Sequence, residues 1–177
     1  MAAFDPDADL SGDLGLRLMI NSFITLYWRR SLLDEAVGWL NEHGYRVVAL
    51  DAGGWAKAAD MHRDIAEALE FPDYYGRNLD ALNDCLSDVE SYEYGTTRDA
   101  TGLVLAFTGY DRFRRAEPDA AQALLDILAT RARSAALFGH RLLCLVQSDD
   151  PDISFEPVGA MTVDWNDAEW PDAKRRG

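Results

Sequence analysis

The chain has 177 residues, of which 48% are hydrophobic and 27% are charged. These fractions are ordinary for a globular protein and exclude a wholly disordered chain. Seventeen basic residues against 31 acidic ones give a net charge of −14, which disfavours direct contact with nucleic acid phosphates and favours basic protein partners.

The beginning of the chain does not have the features of a secreted or a membrane protein. Residues 1–20 are rich in aspartate and lack a secretory apolar region, so they are predicted to form an acidic flexible leader. No uninterrupted apolar run approaches the ~18 residues of a membrane span. Cys85 and Cys144 lie in apolar patterns and are expected to be buried free thiols. The expected location is the cytoplasm, with no membrane partner.

Residues 23–50 have the pattern of a strand, a helix and a second strand. An apolar, β-branched run over 23–28 predicts the first strand. Apolar residues then recur at helical spacing from Leu32 to Leu40, and Gly44 stands where a helix commonly ends. A second apolar run covers 45–50. The short connection predicts a βαβ unit with two parallel strands.

Two helices are predicted next. Gly53-Gly54 indicates a turn, and the first helix follows with Asp60 as its expected N-cap and His62 near its start. Pro72 ends this helix and a loop over 73–77 follows. Asn78 is the expected N-cap of the second helix. The leucines of that helix are expected to form one apolar stripe: Leu79, Leu82 and Leu86.

The second half of the chain adds two strands, over 103–107 and 142–146, and an amphipathic helix over 119–134 between them. Near-continuous apolar strands separated by helices predict an α/β fold, with a parallel sheet of three to four strands covered by helices. The predicted main domain covers 21–148, including the N-terminal βα unit. An acidic, Trp-containing tail over 149–177 holds one possible further strand at 160–165.

The helix after Asn78 carries an acidic face. Asp80 and Asp84 lie four residues apart and therefore on one side of it, with Asn83 at the edge. Tyr74 and Tyr75 stand in the loop just before. Between residues 60 and 99 eleven acids oppose three arginines, a net −8. Rigid aromatic area beside a concentrated charge is typical of a protein-binding surface.

Other kinds of site have weaker support. Gly53-Gly54 belongs to neither a dinucleotide fingerprint nor a P-loop. The three histidines and two cysteines lack the spacing of a metal site, and Asp80 with Asp84 offers only two carboxylates to a cation. Nucleophile-and-base arrangements are not evident. No cofactor, metal or catalytic residue is therefore predicted.

The segment 72–86 resembles the signature of the barstar family. It runs Pro-Asp-Tyr-Tyr-Gly-Arg-Asn-Leu-Asp-Ala-Leu-Asn-Asp-Cys-Leu, and the family pattern is a Pro-x-Tyr-Tyr-Gly loop followed by a helix of the form Asn-Leu-Asp-Ala-Leu-x-Asp-Cys-Leu. Weaker similarity extends from about Tyr45 to Ser148. The resemblance implies a small parallel sheet with packed helices, in an intracellular immunity-type protein that blocks a ribonuclease active site and catalyses nothing.

The resemblance also implies which residues bind the partner. Tyr74 would pack against the enzyme, Gly76 would offer its backbone, and Leu79 would contact from the edge. Asp80 and Asp84 would pair with cationic catalytic groups in place of substrate phosphate. The whole expected face consists of Tyr74, Gly76, Asn78, Leu79, Asp80, Asn83 and Asp84.

Two positions depart from the family pattern. Asn83 stands where family members commonly carry tryptophan, and an approximate alignment places Thr130 where they carry an acid, with Asp126 one turn earlier. The partner is therefore expected to be a basic protein, a ribonuclease or nuclease toxin by preference. Two alternatives remain open: a regulatory module that binds another basic protein without inhibition, and an enzyme, which only the versatility of α/β folds suggests.

Overall fold

A computed structural model describes residues 12–170 of the chain. In this range five strands form one sheet of order β2-β3-β4-β1-β5, and every neighbouring pair is parallel. Six α-helices flank the sheet. The strands are β1 (Ile24–Tyr27), β2 (Arg46–Asp51), β3 (Leu103–Thr108), β4 (Leu142–Gln147) and β5 (Asp164–Trp165). The helices are α1 (Leu14–Asn21), α2 (Arg30–Glu42), α3 (Ala58–Ala68), α4 (Leu79–Glu90), α5 (Tyr110–Ala116) and α6 (Pro118–Leu137).

The predicted α/β class and parallel sheet are confirmed, together with all four principal strands. The first two strands are parallel but not adjacent. β2 pairs with β3 at one edge, whereas β1 lies beyond β4, where Ile24 is in register with Cys144. The N-terminal βα unit therefore widens the sheet on the side away from β2.

The strands alternate their side chains between two apolar cores. On one face Leu105 and Phe107 of β3 pack with α3, α4, α5 and α6. On the other face Val104 and Ala106 pack against α1 and α2, through residues such as Leu40. Both faces of the parallel sheet are thereby covered, which explains why its strands are almost uniformly apolar.

The predicted leader requires a correction. Residues 1–11 lie outside the described part of the chain, but residues 14–21 form helix α1 instead of a flexible segment. The Asp13 carboxylate accepts a hydrogen bond from the Leu16 N–H at 3.0 Å, which caps the helix. Asp13 also forms an ion pair of 3.0 Å with Arg141, and Leu18 is buried. A cap, an ion pair and an apolar anchor therefore order α1.

Residues 149–170 of the C-terminal tail pack back onto the domain, and residues 171–177 lie outside the described part of the chain. Strand β5 of the tail is confined to two residues and pairs with β1. The buried Glu169 carboxylate accepts hydrogen bonds of 2.8 Å from the backbone N–H groups of Trp28 and Arg29, at the start of α2. A carboxylate is favoured there because a helix N-terminus has free N–H groups and a partial positive charge. The two ends of the described chain thus stabilise each other.

Two local predictions were wrong or incomplete. Asp60 is the third residue of α3 and not its N-cap; its carboxylate accepts from the N–H groups of Ala56 and Lys57, each at 3.1 Å. Helix α5 was not predicted at all. Among residues 12–170, no helix combines the length and the apolarity needed to cross a membrane.

Candidate protein-binding site

Helix α4 has one buried and one exposed face. Leu82 and Leu86 are buried in the core, together with Cys85 on the same side. Asp80 and Asp84 are exposed on the opposite side, as the four-residue spacing predicts. The apolar contacts fix the rotation of the helix, and this rotation presents both carboxylates to solvent.

The start of α4 is defined by a cap. The Asn78 side-chain oxygen accepts a hydrogen bond from the Ala81 N–H at 2.8 Å, which confirms the predicted N-cap. Arg77, just before it, has a φ of 51°, a conformation that non-glycine residues seldom adopt. A Cβ at Gly76 would approach the Asn78 side-chain nitrogen to 3.1 Å. The backbone that enters α4 is therefore closely determined.

The two tyrosines of the loop point in opposite directions. Tyr74 is 79% exposed, whereas Tyr75 is half-buried and packs on Phe71 with ring centroids 5.0 Å apart. The Tyr75 hydroxyl and Nδ1 of His62 share a hydrogen bond. His62 belongs to α3 and is only 4% exposed, so this bond anchors the loop to a buried point of the core. With Tyr75 held inside, Tyr74 is directed outward.

The same anchor extends to α4 through further aromatic contacts. Phe71 contacts Tyr94 edge-on at 5.9 Å, and the Tyr94 hydroxyl donates to the Cys85 carbonyl at 3.2 Å and the Asp88 carboxylate at 3.1 Å. Burial raises the pKa of both Tyr75 and Tyr94, so both hydroxyls stay protonated. Helix α3, the Tyr74 loop and α4 are therefore held together by one aromatic chain.

His62 and Tyr75 were not predicted as site residues. His62 was interpreted only as a helix-start residue, although its spacing from Ile65 and Leu69 (three and seven residues) places it on the buried face of α3. This spacing was the available signal. Burial lowers the pKa of His62 below its ordinary value, which favours the neutral side chain.

The remaining residues singled out in the sequence lie on α4 and on α6. Leu79 is 37% exposed, so it leaves the predicted apolar stripe and contributes apolar area beside Asp80. Asn83 is half-buried one turn later on the same helix. On α6, Thr130 is exposed, while the Asp126 carboxylate accepts a hydrogen bond from the Gly159 N–H of the tail at 2.8 Å. Asp126 thus already has a role within the chain.

Comparison with known proteins identifies the family of the segment that contains this surface. Residues 45–147, more than half of the chain, match the family model described as "Barstar (barnase inhibitor)". A curated protein of Bacillus subtilis (strain 168), named "Putative ribonuclease inhibitor YrdF", is 48% identical over 42 residues. That alignment covers 24% of this chain and 46% of the relative, so the chain spans less than half of the length of that relative. Both β1 and β5 lie outside the matched range.

Proposed function

Because this chain belongs to the barstar family, we propose that it is a stoichiometric, non-catalytic inhibitor of a ribonuclease, of the immunity type. The acidic face of α4 and the Tyr74 loop block the basic active site of the enzyme. The binding face comprises Tyr74, Gly76, Asn78, Leu79, Asp80, Asn83 and Asp84. Free thiols at Cys85 and Cys144 suit a reducing compartment, so we place the inhibitor in the cytoplasm.

The observation that carries this proposal is the rigid exposure of the acidic face. Asp80 and Asp84 stand on a helix whose rotation is fixed by Leu82 and Leu86, and whose start is fixed by the Asn78 cap. Little conformational entropy is then lost when a partner binds. Tyr74 adds exposed apolar area next to them.

The chemistry of the partner follows from these groups. An enzyme that cleaves RNA gathers cationic side chains around the scissile phosphate, and two preorganised carboxylates can occupy the same positions. The net −8 over residues 60–99 attracts such a surface and accelerates encounter. Phosphate backbones are repelled by the same field, so direct binding of nucleic acid is not part of the proposal.

A second candidate is a regulatory module that binds another basic protein without inhibiting a nuclease. Asn83 favours it, because an amide offers less apolar contact than the large aromatic residues that dominate interface energetics. The Asp126–Gly159 hydrogen bond supports it too, since the acid one turn before Thr130 is already engaged within the chain. Under the first proposal, the same features predict a weaker inhibitor, with much of its affinity supplied by charge.

The test is a titration of purified barnase, the enzyme in the family description, with the whole chain. An inhibitor lowers RNA cleavage linearly to a one-to-one end point. We expect Asp84→Asn to weaken inhibition by at least tenfold, since it leaves an enzyme cation buried without its partner. The matched control is Glu42→Gln. Glu42 is exposed at the end of α2, on the opposite face of the sheet, and the variant removes the same charge.

Undiminished cleavage in excess chain would exclude barnase as the target. The same titration against any ribonuclease encoded beside the gene for this chain then decides the proposal. If that enzyme too stays active, inhibition is refuted and the regulatory module remains. Inhibition that both variants retain equally would show that the acidic face of α4 is not the contact.

A further inference from the structure

A second candidate site lies outside the segment matched by the family. A cavity of about 350 Å³ opens between α1, α2, β1 and the β5 segment, and all its lining residues fall within 12–39 and 164–168. Its volume lies in the usual range for small-molecule pockets. The acidic face of α4 lies on the opposite side of the sheet, so this cavity plays no part in the proposed inhibition.

The floor of the cavity carries two hydroxyl groups that face its interior. Thr25 and Tyr27 are two residues apart on β1 and therefore face the same side of the sheet. Both residues are largely buried, at 6% and 3% exposure, but their hydroxyl oxygens are open to the cavity, and neither forms a hydrogen bond with a described side chain. A hydroxyl can both donate and accept a hydrogen bond. A ligand in the cavity can therefore reach both hydroxyl groups and hydrogen-bond to them.

The walls are largely apolar and aromatic. Trp39 of α2 and Trp165 of β5 both line the cavity. Trp39 is held in place by stacking on His43, with ring centroids 3.6 Å apart. The aliphatic part of the lining comes from Leu14, Leu18 and Leu32. An apolar stem, or a flat cation that can lie on an indole ring, fits these walls.

The electrostatic field in the cavity is negative. Among residues 12–170, three carboxylates line it, from Glu35, Asp164 and Asp167, against one cation, Arg17, which pairs with Asp167 at 2.9 Å. Asp164 accepts a hydrogen bond from the Thr162 hydroxyl at 3.0 Å. The pKa of Tyr27 is raised, mainly by burial and further by the charges of Glu169 and Asp167. An anion is therefore disfavoured here and a cation is favoured.

We propose that this cavity binds an organic cation, a guanidinium group on an apolar stem. The guanidinium donates to the carboxylates at the rim and to the hydroxyl oxygens of Thr25 and Tyr27, while the stem packs along Trp39 and Trp165. A guanidinium suits the site better than an ammonium because it is planar, carries five donors and stacks on indole. A free small molecule and an arginine side chain of a protein share this chemistry.

The test is calorimetric titration of the whole chain with two probes, agmatine and the blocked peptide acetyl-Gly-Arg-Gly-amide. We expect saturable binding of at least one probe. The same peptide with citrulline, an uncharged isostere of arginine, should bind at least about tenfold more weakly, because it lacks the charge-assisted hydrogen bonds. Preference for agmatine assigns the site to a free metabolite, and preference for the peptide assigns it to a protein side chain.

The location of binding is checked by spectroscopy. The indole N–H signals of Trp39 and Trp165 should shift on titration. The signal of Trp55 should not, since this N–H donates to Asp64 at 2.7 Å inside the other core. Shifts confined to tryptophans away from the cavity would overturn the proposal.

Three variants test the chemistry of the site. Thr25→Val and Tyr27→Phe remove one hydroxyl each at nearly constant shape, and each should weaken binding about three- to tenfold. Glu35→Gln removes an exposed charge without affecting the core and should weaken binding about tenfold. Glu42→Gln on the same helix lies outside the lining and should bind like the wild type. Absence of saturable binding, equal binding of the citrulline peptide, or wild-type affinity in all three variants would each refute the proposal.

Discussion

The hydrogen bond between Tyr75 and His62 offers a direct test of how the binding loop is held. Tyr75→Phe removes one hydroxyl and keeps the ring that packs on Phe71 at 5.0 Å. Nδ1 of His62 then loses its partner at a position that is only 4% exposed, where solvent cannot easily replace the bond. The variant therefore isolates the hydrogen bond from the aromatic packing.

The expected cost follows from this burial. A buried polar group left without a partner costs about 1–3 kcal/mol of unfolding free energy. For a domain of this size, 1 kcal/mol corresponds to a shift of about 2–4 °C in Tm. Tyr75→Phe should therefore lower Tm by roughly 2–12 °C. The double variant His62→Leu/Tyr75→Phe removes both polar groups, so its cost should be smaller than the sum of the two single costs by about 1–2 kcal/mol.

The assay is urea denaturation of the four proteins of this cycle, with thermal melts in parallel. Tyr74→Phe is the matched control, since its exposed hydroxyl should change stability by no more than about 0.5 kcal/mol. Additive costs of the two single variants would refute the anchoring role. If the anchor also directs Tyr74, Tyr75→Phe should weaken inhibition in the wild-type background and have little effect in Tyr74→Ala.

Three further predictions concern the rest of the fold. Burial raises the pKa of Glu90 to about 7 from 4.5, so the free energy of unfolding should fall by at most about 3 kcal/mol as pH rises between these values. Glu90→Gln should remove this pH-dependent fall, which urea denaturation at about pH 5 and about pH 8 measures. A fall that persists unchanged in the variant would assign it elsewhere. Glu169→Gln should lower the free energy of unfolding by about 2 kcal/mol in the same assay, because a charged acceptor at the start of α2 is lost. The control Glu156→Gln, at an exposed position, should lower it by under about 0.5 kcal/mol. Equal costs of the two variants would contradict the capping role of Glu169. Cys85 and Cys144, both buried, should react with a thiol reagent only after unfolding, and prompt reaction in the native protein would contradict their burial.

The sequence predicted those elements that carry a strong local signal, either a continuous apolar run or a helix cap. The buried strands β3 and β4 and the Asn78 cap of α4 are examples. Helix α5 escaped prediction because it has only seven residues, three of them arginines, with Tyr110 and Phe113 as its buried anchors. The position of β1 beside β4 also could not be predicted, since local periodicity does not specify which sheet edge a strand joins.

The candidate site was predictable only in part, for a similar reason. Asp80 and Asp84 follow from helical geometry, and the Tyr74 loop follows from the family resemblance. Leu79 was placed in the apolar stripe because its spacing from Leu82 and Leu86 is helical, yet it remains 37% exposed in the first turn. The Tyr75–His62 bond joins residues thirteen positions apart on different elements. Such contacts depend on tertiary packing and have no signature in a single sequence.

The placement of β1 has a consequence for synthesis of the chain. Ile24 is in register with Cys144, so β1 emerges from the ribosome about 120 residues before its neighbour exists. At ~5–20 residues per second this interval lasts about 6–24 s. During it, a fully apolar strand face has no native partner, and a chaperone that covers short apolar segments would find a substrate there. Fusion of a slowly folding domain before residue 12 would leave this interval unchanged, whereas slow codons between β1 and β4 would prolong it and increase aggregation.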